Sequence, residues 1–390
     1  MANDETPYPE RVAWLSHSFG YDGDFMYLAP ILSEYCRRFP ATRIIVEPKM
    51  LTKNEAGLPL APWLHTKTLT LRRPSAAGDY GRVLDLPSPG FFFHLLRFRP
   101  QLLIFYDFSR VTWLGALAAA VMGRRCRVLL LIEGDPAYRG ARHGRLQRAI
   151  RRLIARRASV VMTNNQPGAI YARDTLGVAA DRLLIRPYLT SVPLPATRDA
   201  DEGTDDRLHF LFLNSITPRK GLACLIRAVA ALDAAHRQRL RVRVVGDGAE
   251  RAACERLSVE LGVAEAFSFA GAVPWREVRR AYADADVFVN PSLRDYRSLA
   301  GFEAIACGLP VIASVHDGAA AEVVESGNGF IVDPRDTGAF AAALAFFVDR
   351  RHEVERMAAA SRAMASRYTV GRVVANLVEA SRLALSRRPD

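Results

Sequence analysis

Short, almost wholly apolar runs punctuate the chain, each closed by Gly, Pro, Asn or Asp or by a charged residue. In the first half they are Arg11 to Ser16, Arg43 to Glu47, Gln101 to Tyr106, Arg127 to Ile132, Ser159 to Thr163 and Leu183 to Pro187. In the second half they are Leu208 to Asn214, Arg241 to Val245, Phe267 to Gly271, Ala285 to Val289 and Val311 to Ser314. Runs that do not alternate polar with apolar read as strands buried on both faces, the mark of a parallel sheet covered by helices. Helical spacing follows from about Phe25 to Arg38, from Ala223, from Trp275 to Ala283, from Leu299 to Cys307 and from Tyr368 to Leu385. Strands that alternate with helices in this way predict an α/β protein of the doubly wound kind.

One polar, Pro- and Asp-rich stretch interrupts the alternation, P-L-P-A-T-R-D-A-D-E-G-T-D-D-R from Pro193 to Arg207, and it reads as a linker. The boundaries expected are a Rossmann-like domain over 1–192, a linker over 193–207 and a second Rossmann-like domain over 208–368. The chain of 390 residues is long enough for two cores at roughly 150 residues each. The stretch from Pro48 to Pro89 shows little periodicity and is where acceptor-specific loops are expected.

Candidate chemistry gathers where strands give way to helices, because ligands of open parallel sheets bind at the carboxyl ends of strands. The segment Ser292 to Pro310, S-L-R-D-Y-R-S-L-A-G-F-E-A-I-A-C-G-L-P, places Asp295 in such a loop and Glu303 in the helix that follows. Ser215-Ile-Thr-Pro-Arg219-Lys220-Gly221 follows another strand and offers two cations beside a helix start. Gly246 and Gly248 follow a third, and without Cβ atoms they let backbone approach a ligand closely. In the first half, His17 to Gly23 forms a loop with Gly20 and Gly23, read equally as a plain connection. Asp107 and Glu133 end two strands as loop caps or as acids aimed at hydroxyl groups. Asp284-Ala-Asp286 has the spacing of a metal pair, but Asp286 begins a buried strand and is read as structural.

Composition narrows the class. Hydrophobic residues make up 50% and charged ones 24%, ordinary for a soluble α/β enzyme. No apolar run reaches the ~18–20 residues of a spanning helix, and the acidic start Met1-Ala-Asn-Asp-Glu5 does not read as a signal peptide. Five cysteines without metal-ligand spacing read as thiols of a reducing compartment, so the expectation is cytoplasmic. The net charge of +12 admits nucleic acid, an anionic membrane or anionic substrates. No nucleic-acid motif stands beside the basic residues, so that partner is not expected. Arg139 to Arg157 is a basic helix with Leu146, Ile150, Leu153 and Ile154 on one apolar stripe. Two readings stand: a solvated surface helix, or a peripheral contact with the inner face of a membrane, where each cation adds about 1 kcal/mol.

Several of these features occur in one order: Arg219-Lys220-Gly221, Val245-Gly-Asp-Gly248, Phe269-Ala-Gly271, then an acid, seven residues and Glu303-Ala-Ile-Ala-Cys-Gly-Leu-Pro310, then Gly327-Asn-Gly329 with Asp333-Pro334. This arrangement resembles the family 4 retaining glycosyltransferases of GT-B fold, group 1, over roughly Phe210 to Asp336. The resemblance implies two Rossmann-like domains facing across a cleft, with a C-terminal helix (369–390) crossing back to the first. It implies a sugar moved from a nucleotide-diphosphate donor to a saccharide or lipid-linked saccharide acceptor in cell-surface glycan or glycolipid synthesis. By resemblance, Arg219 and Lys220 clamp the diphosphate, Asp295 contacts the donor sugar and Glu303 accepts from the ribose hydroxyls. Ser215, Gly246 and Gly248 line the donor, and the N–H groups of Ser298 and Leu299 hold its hydroxyls. Retention in the family uses the leaving phosphate rather than a protein nucleophile, and neither metal nor cofactor is expected.

The chain also departs from the pattern. Asp295 stands where the family has Glu, Tyr296-Arg297-Ser298 replaces Gly-Phe-Gly, and Glu133 replaces a His. Asp317-Gly318-Ala319 stands where a Gly-Gly pair precedes Glu322, which reads as either a cap or a ligand. Other readings of the same fold are an epimerase, a phosphorylase or a catalytically silent partner that binds nucleotide-sugar. A Rossmann dehydrogenase is disfavoured because no strand–G-x-G-x-x-G–helix unit occurs.

Overall fold

The computed structural model describes residues 8, 10–16, 24–45, 71–72, 83–84, 89–108, 110–132, 144–190 and 206–387. Gly20, Gly23, Glu133, the segment 48–70 and the stretch 193–205 lie outside the described residues. The chain forms two compact units: one holds the first half together with the C-terminal helix, and the described part of the other is residues 206–369.

In the first unit, β1 (Val12–Ser16), β2 (Thr42–Ile45), β5 (Leu102–Tyr106), β6 (Arg127–Ile132), β7 (Val160–Thr163) and β8 (Leu183–Ile185) form a parallel sheet ordered β2-β1-β5-β6-β7-β8. A separate two-residue antiparallel pair, β3 (Leu71–Arg72) with β4 (Val83–Leu84), was not legible in the apolar pattern. Every residue of β5 is buried, as a central parallel strand requires. Arg110–Met122, the longest apolar stretch, folds as a helix on this sheet, and its Ala118 and Ala119 are fully buried. The last helix, Val370–Ser386, packs on Asp24–Arg38, where the Tyr35 hydroxyl meets Ser381 Oγ at 2.8 Å.

The second unit repeats the plan with β9 (Leu208–Leu213), β10 (Leu240–Val245), β11 (Phe267–Gly271), β12 (Val287–Asn290), β13 (Val311–Ser314) and β14 (Gly329–Val332), ordered β11-β10-β9-β12-β13-β14 and all parallel. Successive side chains of β9 divide between two cores: Phe210 and Phe212 pack under Leu222–Ala230 and Thr337–Asp349, while Leu211 joins Tyr282, Phe302 and Ile305 on the other face. β12 starts two residues later than the apolar pattern suggests. Asp286 precedes it, and its carboxylate accepts from His209 N–H at 2.8 Å. Asp284 pairs with Arg243 at 2.8 Å, so both acids of Asp284-Ala-Asp286 hold strands rather than a metal.

Candidate active site

The order of the second sheet reverses between β9 and β12, so the loops leaving those two strands diverge and leave room at their carboxyl ends. β9 leads to a single 3-10 turn, Pro218–Lys220, closed by Gly221 at φ 71°. A Cβ at Gly221 would lie 2.0 Å from the Pro291 carbonyl oxygen, so only Gly lets this turn lie against the loop after β12. Leu293 and Arg294 then donate their N–H groups to the Arg219 carbonyl, at 2.8 and 3.3 Å. This stitching sets the side chains. Lys220 Nζ lies 2.5 Å from Asp295 Oδ2, and an Arg219 nitrogen lies 3.5 Å from Oδ1. Lys220 and Asp295 are both buried, so their attraction is screened little by solvent.

A second acid completes the group. Asp317, in the loop after β13, is 4% exposed and forms a bridge of the sheet type with Asp295. Its Oδ1 accepts from Ser298 N–H at 3.1 Å and from Ala319 N–H at 2.9 Å, and its Oδ2 accepts from Asn290 Nδ2 at 2.6 Å. Burial, and then the Asp295 charge, push its carboxyl up to about 6. The Ser298 N–H, expected to hold donor hydroxyls, is therefore already engaged by this chain. The sequence offered one signal for Asp317, a lone acid in an alanine-rich loop where a small residue was expected.

Glu303 sits in Leu299–Ala306, 1% exposed, and accepts from the Tyr282 hydroxyl at 2.5 Å. The resemblance put ribose hydroxyls on this carboxylate; here the Tyr282 phenol holds it. Gly246 and Gly248 lie close against backbone of the same chain. A Cβ at Gly246 would lie 1.9 Å from the Asn214 carbonyl oxygen, and one at Gly248 would lie 2.3 Å from that of Ile216. Their missing side chains admit this chain's own backbone beside exposed Ser215. In that loop the buried Thr217 hydroxyl has no hydrogen-bond partner among the described residues.

Arg297, in the place of the family's Phe, is buried. It donates to Glu322 at 2.8 Å and lies 4.0 Å over the Phe302 ring. Glu322 is thus an ion-pair partner of Arg297. In the first unit, Asp107 ends β5 at φ 59°, in the left-handed region that Asp tolerates better than most residues. Its N–H donates to the Leu131 carbonyl at 2.9 Å and its own carbonyl accepts from Thr112 Oγ1 at 2.9 Å. Its place matches that of Asp295, next to the reversal of strand order between β1 and β5.

Two parallel sheets of this order, together with the solved structures they resemble, define a two-domain α/β protein of the GT-B fold. Anabaena HepE in complex with UDP is similar at a TM-score of 0.72 and 17% identity, over 95% of this chain and 98% of that one. The lipopolysaccharide outer core galactosyltransferase WaaB, in its apo form, is similar at 0.71 and 14% identity, over 95% and 98%. The family model of the glycosyl transferases group 1 matches residues 196–364. A D-inositol 3-phosphate glycosyltransferase of Streptomyces griseus is 30% identical over 412 residues, spanning 92% of this chain and 86% of the relative. The chain belongs to the group 1 glycosyltransferases.

Proposed function

We propose that the protein is a retaining, metal-independent glycosyltransferase that takes its sugar from a nucleotide-diphosphate donor and passes it to a saccharide or lipid-linked saccharide. The observation that carries this reading is the buried Lys220–Asp295 pair with Arg219 beside it, at the strand reversal of the second sheet. When the bond from sugar C1 to the β-phosphate oxygen breaks, negative charge builds on that phosphate. Two fixed cations in a site of low solvent exposure stabilise it more than they stabilise the intact donor. The acceptor hydroxyl forms its bond to C1 on the same face, and its proton passes to the leaving phosphate oxygen. Asp295 holds the cations in place before the donor arrives and faces the sugar once the diphosphate takes them over.

The UDP seen in HepE supports a nucleotide-sugar donor, and the names of the Streptomyces and WaaB proteins support acceptors among inositol phosphates or lipid-borne glycans. Lipid-borne acceptors fit a further feature. In the helix Arg145–Arg157, Leu146 and Leu153 are 74% and 70% exposed, two turns apart, among exposed Arg145, Arg148, Arg152 and Arg156. Apolar side chains pointing outward among cations suit a helix lying in the inner, anionic face of a membrane. No helix among the described residues is long and apolar enough to cross one.

Differential scanning fluorimetry with UDP-, GDP- and ADP-linked sugars tests the donor site. A ligand at ~100 times its Kd stabilises by about 2.7 kcal/mol, a readable shift. One nucleotide should shift wild type with and without EDTA, and Lys220→Ala should abolish the shift. A shift lost in EDTA and restored by magnesium would refute metal independence. Donor binding without transfer or hydrolysis would instead assign a silent donor-binding subunit.

A further inference from the structure

We propose that Asp317 is a positioning residue of the donor site, and that it takes up a proton from solvent when a nucleotide-diphosphate sugar binds at Arg219 and Lys220. The inference rests on the donor-binding reading above and adds a residue and a property to it.

Two side-chain contacts give Asp317 its positioning role. Its carboxylate ties the end of β12, through Asn290, to the start of the helix Leu299–Ala306, through Ser298. Between those two anchors lies the loop that carries Asp295. The backbone adds two more ties: Asp295 N–H donates to the His316 carbonyl at 3.0 Å, and Gly318 N–H donates to the Asp295 carbonyl at 3.3 Å. Asp317 thus fixes the acid that in turn fixes Lys220.

Charge gives the second half. In the free protein Arg219 and Lys220 face Asp295 and Asp317, two cations against two carboxylates. A donor diphosphate adds about two negative charges to that balanced group. Asp295 lies directly against the two cations in the free protein, and desolvation already disfavours the charge of the buried Asp317. Protonating Asp317 is therefore the response that relieves the added repulsion. Neighbouring segments carry other charged groups: Arg297 just before the helix Leu299–Ala306 and Glu303 within it, Glu322 in Ala320–Val323, and His316 in its own loop. His316 in turn contacts Asp333 at 3.2 Å and Arg335 at 2.7 Å, after β14. His316 stands next to Asp317 in the chain, so the test separates the two.

Isothermal titration calorimetry of the full chain with UDP-glucose and GDP-mannose, between pH 6 and 8 in buffers of different ionisation enthalpy, counts the protons. The diphosphate diester of either donor does not titrate in that range, so any uptake belongs to the protein. Wild type should take up close to one proton per donor at pH 7, with affinity rising by up to about tenfold per pH unit as the pH falls. Asp317→Asn should bind with little uptake and a flat pH profile, while His316→Gln should keep the wild-type count. The Asn variant can be accommodated, because the Asn290 amide can turn and the Ser292 hydroxyl, 2.8 Å from it, can reverse its hydrogen bond. Donor binding by wild type without uptake overturns the proposal, as does undiminished uptake in Asp317→Asn or its loss in His316→Gln. If the Asn variant fails to fold, the wild-type and His316→Gln counts still decide. If neither donor binds wild type at any pH, the functional reading falls and this one falls with it.

Discussion

Lys220 and Asp295 stand 75 positions apart in the chain, and their meeting depends on two loops fitting side by side. The residue types were legible because each follows an apolar strand and precedes a helix, where parallel sheets place their chemistry. What the sequence could not show was the next layer: Asp317 behind Asp295, Tyr282 on Glu303 and Glu322 on Arg297. These contacts arise between segments that the apolar pattern places in different elements, and no spacing rule links them. Removing one partner of a buried pair leaves the other charge without its nearest counterion, which typically costs 3–5 kcal/mol. Arg219 remains near Asp295, so Lys220→Met should lie toward the low end, about 3 kcal/mol in urea denaturation. Replacing both members, as Lys220→Met with Asp295→Leu, should lose less than the single change, which distinguishes an uncompensated charge from simple loss of packing.

Among the elements, those with long apolar runs were the most legible: β5, β6 and β13 follow the apolar pattern closely, while β14 and the two-residue pair β3–β4 did not stand out. Turn geometry was legible in position but not in cause. Gly221 entered the sequence reading only as the end of the Arg219-Lys220-Gly221 motif, and in the structure it lets two loops touch. Gly221→Ala therefore combines a left-handed backbone with a contact on the Pro291 carbonyl. We expect it to destabilise by about 2 kcal/mol or more in denaturant titration and to weaken donor binding beyond that loss. The basic helix taught the reverse lesson. Leu146, Ile150, Leu153 and Ile154 read as one apolar stripe, yet of the four only Ile154 is buried, and Arg151 turns inward to meet the Tyr171 hydroxyl at 2.9 Å. A buried Arg breaks a helical-wheel reading because its long stem packs like a hydrophobe. Leu146→Asp with Leu153→Asp should lower binding to vesicles containing anionic lipid while leaving donor binding intact, as read by sedimentation and fluorimetry. Unchanged sedimentation would return this helix to the role of a solvated face.

For the whole molecule, the two-unit plan followed from one linker and the repeated strand–helix alternation, while the strand orders came only with the structure: the order reverses after two strands in the first sheet and after three in the second. The return of Val370–Ser386 to the first unit has a consequence for how the protein is made. Among the described residues the second unit is one continuous stretch, whereas the first is left without a helix whose Val373, Val374, Leu377, Ala380 and Ala384 are all buried. On a ribosome the first unit therefore has to wait for a helix that is synthesised after the second unit. Nascent chains stalled shortly after residue 369, with enough further sequence to clear the exit tunnel, should carry a protease-resistant second unit and a protease-sensitive first one. During translation the protein would then mature from its middle outward, exposing the apolar sheet of its first unit to chaperones until the final turn of its last helix emerges.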